Sequence, residues 1–199
     1  MFEKLSPAPQ DKIIALIAEF AADERDNKID LGVGVYKDAT GNTPIMTAVQ
    51  KAEAKRVKDQ TTKTYVGMAG NVGFNESMVD LVLGDSVSKD RVRAAQAPGG
   101  TGALRLIADL LNVAKPGATV YISDPTWPNH IPLMEAAGLK TATYPYFEAE
   151  KRNVRFDDMC EAVSKMTSDD ILLLHGCCHN PTGANLTNEQ WDKLTDIIQ

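Results

Sequence analysis

A glycine-rich turn at residues 99–102 stands directly before an amphipathic stretch of the chain. Apolar residues at 103, 104, 107, 110 and 111 recur with the spacing of a buried helix face, so a helix is predicted to begin within the glycines. The first turn of a helix has unpaired backbone N–H groups and the positive end of the helix dipole, and glycine lets an anion approach both. The turn is therefore a candidate phosphate site. The alternative is a tight turn that needs glycine for its backbone dihedral angles.

Two further loops with chemically useful side chains follow predicted β-strands. The segment 119–123 is predicted to be a strand that leads to Trp127 and His130, and the apolar run 171–174 a buried strand that leads to Asn180. Ligands bind outside the carboxyl ends of the strands in an open parallel sheet, so the three features are expected to meet at one edge. A phosphate site, a flat aromatic ring and an amide donor together suit a planar phosphorylated heterocycle. Taken singly, Trp127 is more often a half-buried anchor, His130 a locally satisfied residue and Asn180 part of a turn.

Histidine and cysteine are concentrated at residues 175–179 and raise the question of a metal site. The candidate ligands are His175, Cys177, Cys178 and His179. Adjacent residues of an extended chain point to opposite faces, and the run lacks the Cys-x-x-Cys spacing that lets side chains surround a zinc ion. We therefore predict no metal site and expect the cysteines to pack as small side chains against the sheet.

Predicted helices and strands alternate along most of the chain, which is typical of an α/β protein with a mostly parallel sheet. Helices are predicted at 12–22, 44–59, 73–83, 129–137 and 157–165, with one that begins within 99–102 and one after Thr187, and strands at 29–36, 93–97, 119–123, 141–146 and 171–174. The segment 6–9, with two prolines, is expected to be an extended arm, and Asp11 is expected to cap the first helix.

Composition and charge exclude several classes of protein. The 199 residues are 43% hydrophobic and 24% charged, as in an ordinary globular protein. The net charge is −6 and the 21 basic residues are spread along the chain, so a nucleic-acid partner is not expected. No apolar run is long enough to span a membrane, no signal-type segment follows Met1, and three cysteines make a poor disulfide framework. A soluble, cytoplasmic protein is therefore expected.

Four segments together resemble the aspartate and aromatic amino acid aminotransferases, which are class I, fold type I pyridoxal-phosphate enzymes. In chain order they are Leu-Gly-Val-Gly-Val-Tyr-Lys-Asp at 31–38, Gly-Gly-Thr-Gly-Ala-Leu at 99–104, Ser-Asp-Pro-Thr-Trp-Pro-Asn-His at 123–130 and His-Gly-Cys-Cys-His-Asn-Pro-Thr-Gly at 175–183. The similarity extends from Met1 to Gln199 in the family's order and spacing. It implies an N-terminal arm at 1–12, part of a small domain at 13–43 and an incomplete large cofactor-binding domain at 44–199.

The resemblance implies a site for pyridoxal 5'-phosphate. Gly100 and Thr101 would bind the cofactor phosphate, and Trp127 would stack on the pyridine ring. Asn180 would donate to the phenolic oxygen of that ring, and His130 would contact the carboxylate that pairs with the pyridine nitrogen. Trp127 and Asn180 would also line the substrate site.

The resemblance also implies contacts with the substrate and with a second subunit. Gly34 would line the site for the substrate carboxylate. Tyr65 would reach the cofactor phosphate of the neighbouring subunit, so that a homodimer shares its active sites. The arm at 6–9 would lie against that partner.

The activity implied is transfer of an amino group from aspartate or an aromatic amino acid (phenylalanine, tyrosine or tryptophan) to 2-oxoglutarate. In the family, the lysine that forms a Schiff base with the cofactor comes after the position of Gln199, so no catalytic residue is assigned and the 199-residue chain alone is predicted to be inactive. One alternative is a non-catalytic binding or regulatory protein with this fold. Another, a nucleotide-binding βαβ domain, is disfavoured because the turn fits neither Gly-x-x-x-x-Gly-Lys nor Gly-x-Gly-x-x-Gly. The preference for aspartate or aromatic substrates stays open.

Overall fold

The computed structural model describes Glu3 and residues 12–30, 32 and 34–199. The predicted arm at 6–9, the predicted cap Asp11 and two positions of the predicted strand at 29–36 lie outside the described residues. The chain forms two compact units, Met1–Thr64 and Tyr65–Gln199. The domain boundaries after residues 12 and 43 stay predictions.

The first unit, where the structure describes it, contains the helices α1 (Lys12–Ala22) and α2 (Thr47–Asp59). α1 has its predicted bounds, but the predicted start of α2 is wrong. Pro44 lies before the helix, and the N-cap is Met46, with ψ 134°. The residue before a proline avoids the helical conformation, and Thr43 is also held by its Oγ1, which donates to the carbonyl of Tyr36 at 3.0 Å.

The strand predicted at 29–36 is wrong for the residues of that segment that the structure describes, because none of them pairs in a ladder. A strand needs a neighbour that satisfies its backbone N–H and C=O groups. The described part of this unit supplies no such neighbour. The segment instead leads to a turn in which Asp38 Oδ1 accepts from the backbone N–H groups of Thr40 at 2.9 Å and Asn42 at 3.0 Å.

The second unit is organised around a parallel sheet. Its strands are β1 (Thr119–Asp124), β2 (Lys140–Pro145), β3 (Phe147–Glu148), β4 (Asn153–Val154) and β5 (Asp170–Leu172). The parallel sheet has the order β2-β1-β5, whereas β3 and β4 form a short antiparallel pair. Thr119 at the start of β1 lies opposite Lys140 on one side and Asp170 on the other. The parallel sheet flanked by helices confirms the predicted fold class.

The second unit contains five α-helices, of which the first and the last begin at residues whose side chains cap them. They are α3 (Val72–Leu83), α4 (Gly99–Ala114), α5 (His130–Ala136), α6 (Phe156–Val163) and α7 (Asn188–Ile198), with a 3₁₀ turn at Lys89–Arg91. Asn71 caps α3 by accepting from the Phe74 N–H at 2.9 Å, and Thr187 with Gln190 forms the capping box of α7. Within the part of the chain that the structure describes, no helix is long and apolar enough to cross a membrane.

The strand predicted at 93–97 is also wrong, since the segment pairs with no strand among the described residues. Its Gln96 N–H donates instead to the carbonyl of Ala69 at 2.8 Å. The predicted βαβ unit around α4 therefore lacks its first strand, and the parallel connections are β1–α5–β2 and β2–α6–β5. β5 ends earlier than predicted, although the Leu173 N–H still donates to the carbonyl of Tyr121 at 2.9 Å.

Helices cover both faces of the parallel sheet. Because side chains alternate along a strand, Val120 and Ile122 of β1 face one side and Tyr121 faces the other. The first side packs against α4 and α5 through residues that include Ala108, Met134 and Leu139. The second side packs against α6 and α7 through residues that include Tyr144, Met159, Val163 and Leu194.

Candidate functional site

The candidate site lies at the carboxyl edge, meaning the edge of the sheet where β1 ends at Asp124 and β5 at Leu172. α4 has 16 residues and is therefore about 24 Å long, while the six residues of β1 span about 20 Å. A short turn joins the end of α4 to the start of β1, and α4 packs against β1. Because the two elements have similar lengths, the first turn of α4 lies near the end of β1, at the carboxyl edge. The glycine turn, the loop after β1 and the loop after β5 thus share this edge.

The glycine turn is open to an incoming group. α4 begins at Gly99, which has φ +67°, a conformation that favours glycine. A Cβ built on Gly99 or Gly100 would meet nothing within 4 Å, whereas one on Gly102 would lie 2.9 Å from Cδ of Pro98. The backbone N–H groups of Gly100 and Thr101 donate to no described residue. The turn therefore offers free donors and space at the positive end of α4.

The loop after β1 brings Trp127 and His130 into contact. Their rings meet edge to face with centroids 5.3 Å apart, and the His130 N–H donates to the Trp127 carbonyl at 3.0 Å. The His130 side chain is 5% exposed, and its Nδ1 lies 2.7 Å from Thr126 Oγ1. Burial first, and then the nearby His175, lowers the pKa of His130, so the ring is neutral at pH 7.

The three histidines form a continuous cluster at the carboxyl edge. The ring of His175 lies 5.2 Å from that of His130 and 4.5 Å from that of His179. Both ring nitrogens of His175 are buried without a hydrogen-bond partner among the described residues. Burial lowers the pKa of His175 as well.

His179 is the most firmly held member of this cluster. Its Nε2 lies 2.9 Å from Ser123 Oγ, its Nδ1 lies 2.8 Å from Thr182 Oγ1, and its ring stacks on Tyr146 at 3.9 Å. Burial first, and then the neighbouring histidines, lowers the pKa of His179 to about 4. Sequence reasoning missed Ser123, Tyr146 and Thr182 because they belong to other elements or act through contacts that spacing alone does not reveal.

The loop after β5 presents Asn180 to solvent. Asn180 is exposed, and its side chain bonds to no described residue. Cys177 and Cys178 are exposed too, so the expectation that they pack against the sheet is wrong. Within 175–180, the exposed residues are 176–178 and Asn180, whereas the His179 ring is buried against Tyr146. Among the described residues, no three His, Cys, Asp or Glu side chains are arranged to hold a metal ion.

Two further predicted site residues, Tyr65 and Gly34, are described by their exposure. The side chain of Tyr65 is fully exposed, and its hydroxyl has no partner in the described chain. Gly34 belongs to the first unit, is exposed, and has nothing within 4 Å of where a Cβ would stand. The roles of both residues stay predictions, as do the cofactor roles of Gly100, Thr101, Trp127, His130 and Asn180.

Comparison with known proteins gives a consistent result. Residues 26–199 match the family model described as aminotransferase class I and II. The chain is 50% identical over 199 residues to the aromatic-amino-acid aminotransferase of Paracoccus denitrificans. The aligned region covers 100% of this chain and 50% of that protein. The chain is 44% identical over 200 residues to the aspartate aminotransferase of Escherichia coli strain K12, with 99% of this chain and 50% of that protein covered.

A solved structure supports the same relationship. The aromatic-amino-acid aminotransferase of Burkholderia pseudomallei, covalently bound to pyridoxal phosphate, has a TM-score of 0.93 to this chain at 40% identity. The match covers 100% of this chain and 50% of that one. The chain spans about half the length of the curated relatives it matches.

Proposed function

Because the chain belongs to the class I and II aminotransferases, we propose that the whole protein transfers an amino group from aspartate or an aromatic amino acid to 2-oxoglutarate. The observation that carries the proposal is the open glycine turn at the start of α4, beside the loops that hold Trp127 and Asn180. Among the roles that the resemblance implies, these 199 residues supply binding groups, and the chain spans about half the length of the curated relatives it matches.

The carboxyl edge fits pyridoxal phosphate as the cofactor. Free N–H groups and the hydroxyl of Thr101 suit a phosphate, and the absence of Cβ atoms at Gly99 and Gly100 leaves room for it. When bound, pyridoxal phosphate supplies the electron sink that allows the α-proton of an amino acid to be removed. Gly100 and Thr101 would hold the phosphate, Trp127 would cover one face of the ring, and Asn180 would donate to its phenolic oxygen.

His130 would act on the cofactor through another group. Its Nδ1 is engaged by Thr126 at 2.7 Å, which leaves Nε2 to contact the carboxylate that the resemblance pairs with the pyridine nitrogen. Burial lowers the pKa of His130 in this chain, so the free Nε2 would orient that carboxylate through a hydrogen bond. The edge contact with His130 also fixes the plane of Trp127.

The proposal includes a cytoplasmic homodimer with shared active sites. The full exposure of Tyr65 supports a contact outside its own subunit, and we assign it to the cofactor phosphate of the partner. The three cysteines are all free thiols, as expected for a reducing compartment. The other partners are small-molecule substrates: aspartate or aromatic amino acids, and 2-oxo acids.

The chain's two tryptophans allow a test of cofactor binding that needs no activity. Trp191 lies in α7 and packs with the residues on the Tyr121 side of the sheet, not in the loops of the candidate site. It therefore serves as the matched control. In Trp191→Phe, all indole emission comes from Trp127, and we expect added pyridoxal phosphate to quench it. In Trp127→Phe, emission from Trp191 should change little at the same concentrations. Equal quenching of both variants would refute stacking on Trp127.

Activity is tested by completing the chain. We would fuse residues 1–199 to the half of the Paracoccus denitrificans relative that this chain does not match, and assay aspartate and phenylalanine with 2-oxoglutarate. We expect the fusion to turn over, and we expect its Asn180→Ala variant to turn over at least tenfold more slowly. A fusion that folds and binds pyridoxal phosphate without turnover would favour the non-catalytic alternative.

A further inference from the structure

The loop after β5 is held at three points by contacts with other elements. Near its start, the hydroxyl of Tyr144 donates to the carbonyl of Leu173 at 3.0 Å. Further along, the hydroxyl of Tyr146 donates to the carbonyl of Ala184 at 2.7 Å. Between these two points, the His179 side chain is buried. The course of the loop therefore depends on long-range contacts, and His179 makes the middle one.

Each nitrogen of the His179 ring has a hydroxyl partner. Nε2 lies 2.9 Å from Ser123 Oγ in β1, and Nδ1 lies 2.8 Å from Thr182 Oγ1, three residues further along the loop. A neutral imidazole has one N–H donor and one acceptor nitrogen, and a hydroxyl can take either role, so both contacts can be hydrogen bonds at once. The ring also stacks on Tyr146 with centroids 3.9 Å apart. One side chain thus ties the loop to β1 and closes the loop on itself.

The turn that His179 closes contains Asn180. Thr182 Oγ1, which contacts the His179 ring, also accepts from the Ala184 N–H at 3.2 Å, and the His179 carbonyl accepts from the Gly183 N–H at 2.6 Å. The Asn180 side chain has no hydrogen bond to a described residue. Its place therefore depends on the backbone of this turn.

We propose that His179 is a positioning residue, whose ring holds Asn180 where the side-chain amide donates to the phenolic oxygen of pyridoxal phosphate. The inference rests on the proposed function, which gives Asn180 that contact. His179 acts through the turn that it closes and does not itself touch the cofactor. A hydrogen bond to the ionised phenolic oxygen favours the ionised form. Displacing the amide therefore raises the pH at which the bound cofactor loses the phenolic proton.

The test uses the fusion of residues 1–199 to the unmatched half of the Paracoccus denitrificans relative. The absorption spectrum of bound pyridoxal phosphate, recorded against pH, follows the phenolic group without turnover. Asn180→Ala should raise the midpoint by about one pH unit or more, the effect of a lost hydrogen bond to a charged group. His179→Phe, which keeps a flat ring beside Tyr146, should give at least about half of that shift. The double variant should shift no further than Asn180→Ala, because both changes remove the same contact.

Matched variants separate positioning from a general loss of stability. Ser123→Ala and Thr182→Val each remove one hydroxyl partner of the His179 ring, and each should give a smaller shift in the same direction. They carry the test if His179→Phe does not fold. Met159→Ala truncates a fully buried side chain in the core around Tyr146 and should leave the midpoint unchanged.

Hydrogen exchange in the same fusion tests the turn without the cofactor. The amides of Gly183 and Ala184 should exchange faster in His179→Phe than in Met159→Ala, because only the first change removes the ring that closes the turn. Equal exchange in the two variants would show that His179 does not hold the turn and would overturn the inference.

Different results refute the inference and the proposed function. A fusion that folds and binds no pyridoxal phosphate refutes the proposed function, and an unshifted midpoint in Asn180→Ala refutes the contact assigned to Asn180. A raised midpoint in Asn180→Ala with an unchanged one in His179→Phe overturns the positioning role alone. So does a double variant whose shift equals the sum of the two single shifts, or a shift in Met159→Ala as large as that in His179→Phe.

Discussion

Burial of the histidine cluster makes the stability of the fold depend on pH. His179 is 2% exposed, and burial together with its histidine neighbours lowers its pKa from 6.5 to about 4. Burial also lowers the pKa values of His175 and His130. All three groups therefore resist protonation in the folded state and accept protons readily when the chain unfolds.

The direction of the effect follows from linkage. Between pH 6.5 and about 4 the unfolded chain binds a proton at His179 that the folded chain does not, so the free energy of unfolding falls as the pH falls through this window. Above pH 6.5 this contribution to stability is fully present. At about 1.4 kcal/mol per pH unit, His179 alone lowers the free energy of unfolding by about 2.5 kcal/mol by pH 4.5. That is a large share of the 5–15 kcal/mol typical of a domain.

Urea unfolding followed by circular dichroism, at several pH values from about 7.5 to 4.5, measures this loss. The comparison variant is His179→Gln, which keeps a hydrogen-bonding side chain near Ser123 and does not titrate. Carboxylates titrate in both proteins and cancel in the difference. The variant should be less stable at pH 7.5, and the gap should narrow by about 2 to 3 kcal/mol at pH 4.5. Parallel pH dependences for the two proteins would refute the argument from burial.

Four further substitutions in the second unit test its backbone conformation, packing and helix capping, each measured as a change in the free energy of unfolding. Gly70→Ala should destabilise the fold by about 2 to 4 kcal/mol, because Gly70 has φ +90° and a Cβ there would overlap the side chain of Gln96. Gly117→Ala is the control: Gly117 has φ +69° but a Cβ there would meet nothing within 4 Å, so its loss of about 1 kcal/mol measures the cost of the backbone conformation alone. Tyr144→Phe should lose about 1 kcal/mol, because the buried hydroxyl donates to a backbone carbonyl at 3.0 Å. Thr187→Ala should lose about 0.5 to 2 kcal/mol with the capping box of α7, and equal stability of variant and wild type would contradict the role of the cap.

The elements that could be predicted from the sequence are those whose signals are local. The glycines in the first turn of α4, the prolines after β1 and the Thr187 cap mark where elements begin and end, and each is visible in the sequence. The strand predictions at 93–97 and at the described residues of 29–36 are wrong because a strand depends on a partner, which sequence alternation does not supply. The start of α2 was wrong because Thr43 is tied to Tyr36, seven residues earlier.

In the candidate site, too, local contacts could be predicted from the sequence and long-range contacts could not. Trp127 and His130 could be placed together because they lie three residues apart in one loop. The contacts of His179 with Ser123 and Tyr146 join the loop after β5 to β1 and to the segment after β2, and no spacing in the chain encodes them. The pKa values of the histidines follow from these long-range contacts and from burial, so they could not be inferred from residue types.

The histidines make the carboxyl edge polar, but they add no positive charge to it at pH 7. Two protonated imidazoles about 5 Å apart would repel by about 3 kcal/mol at an effective dielectric constant of about 20, and burial adds a further penalty for each charge. The ring contacts at 5.2 and 4.5 Å are therefore compatible with neutral rings, in agreement with the lowered pKa values. Because the three rings are neutral at pH 7, they would add no positive charge for the phosphate that we propose binds here. Among the described residues, the free N–H groups and the dipole of α4 would supply that attraction, and the open glycine turn leaves them accessible.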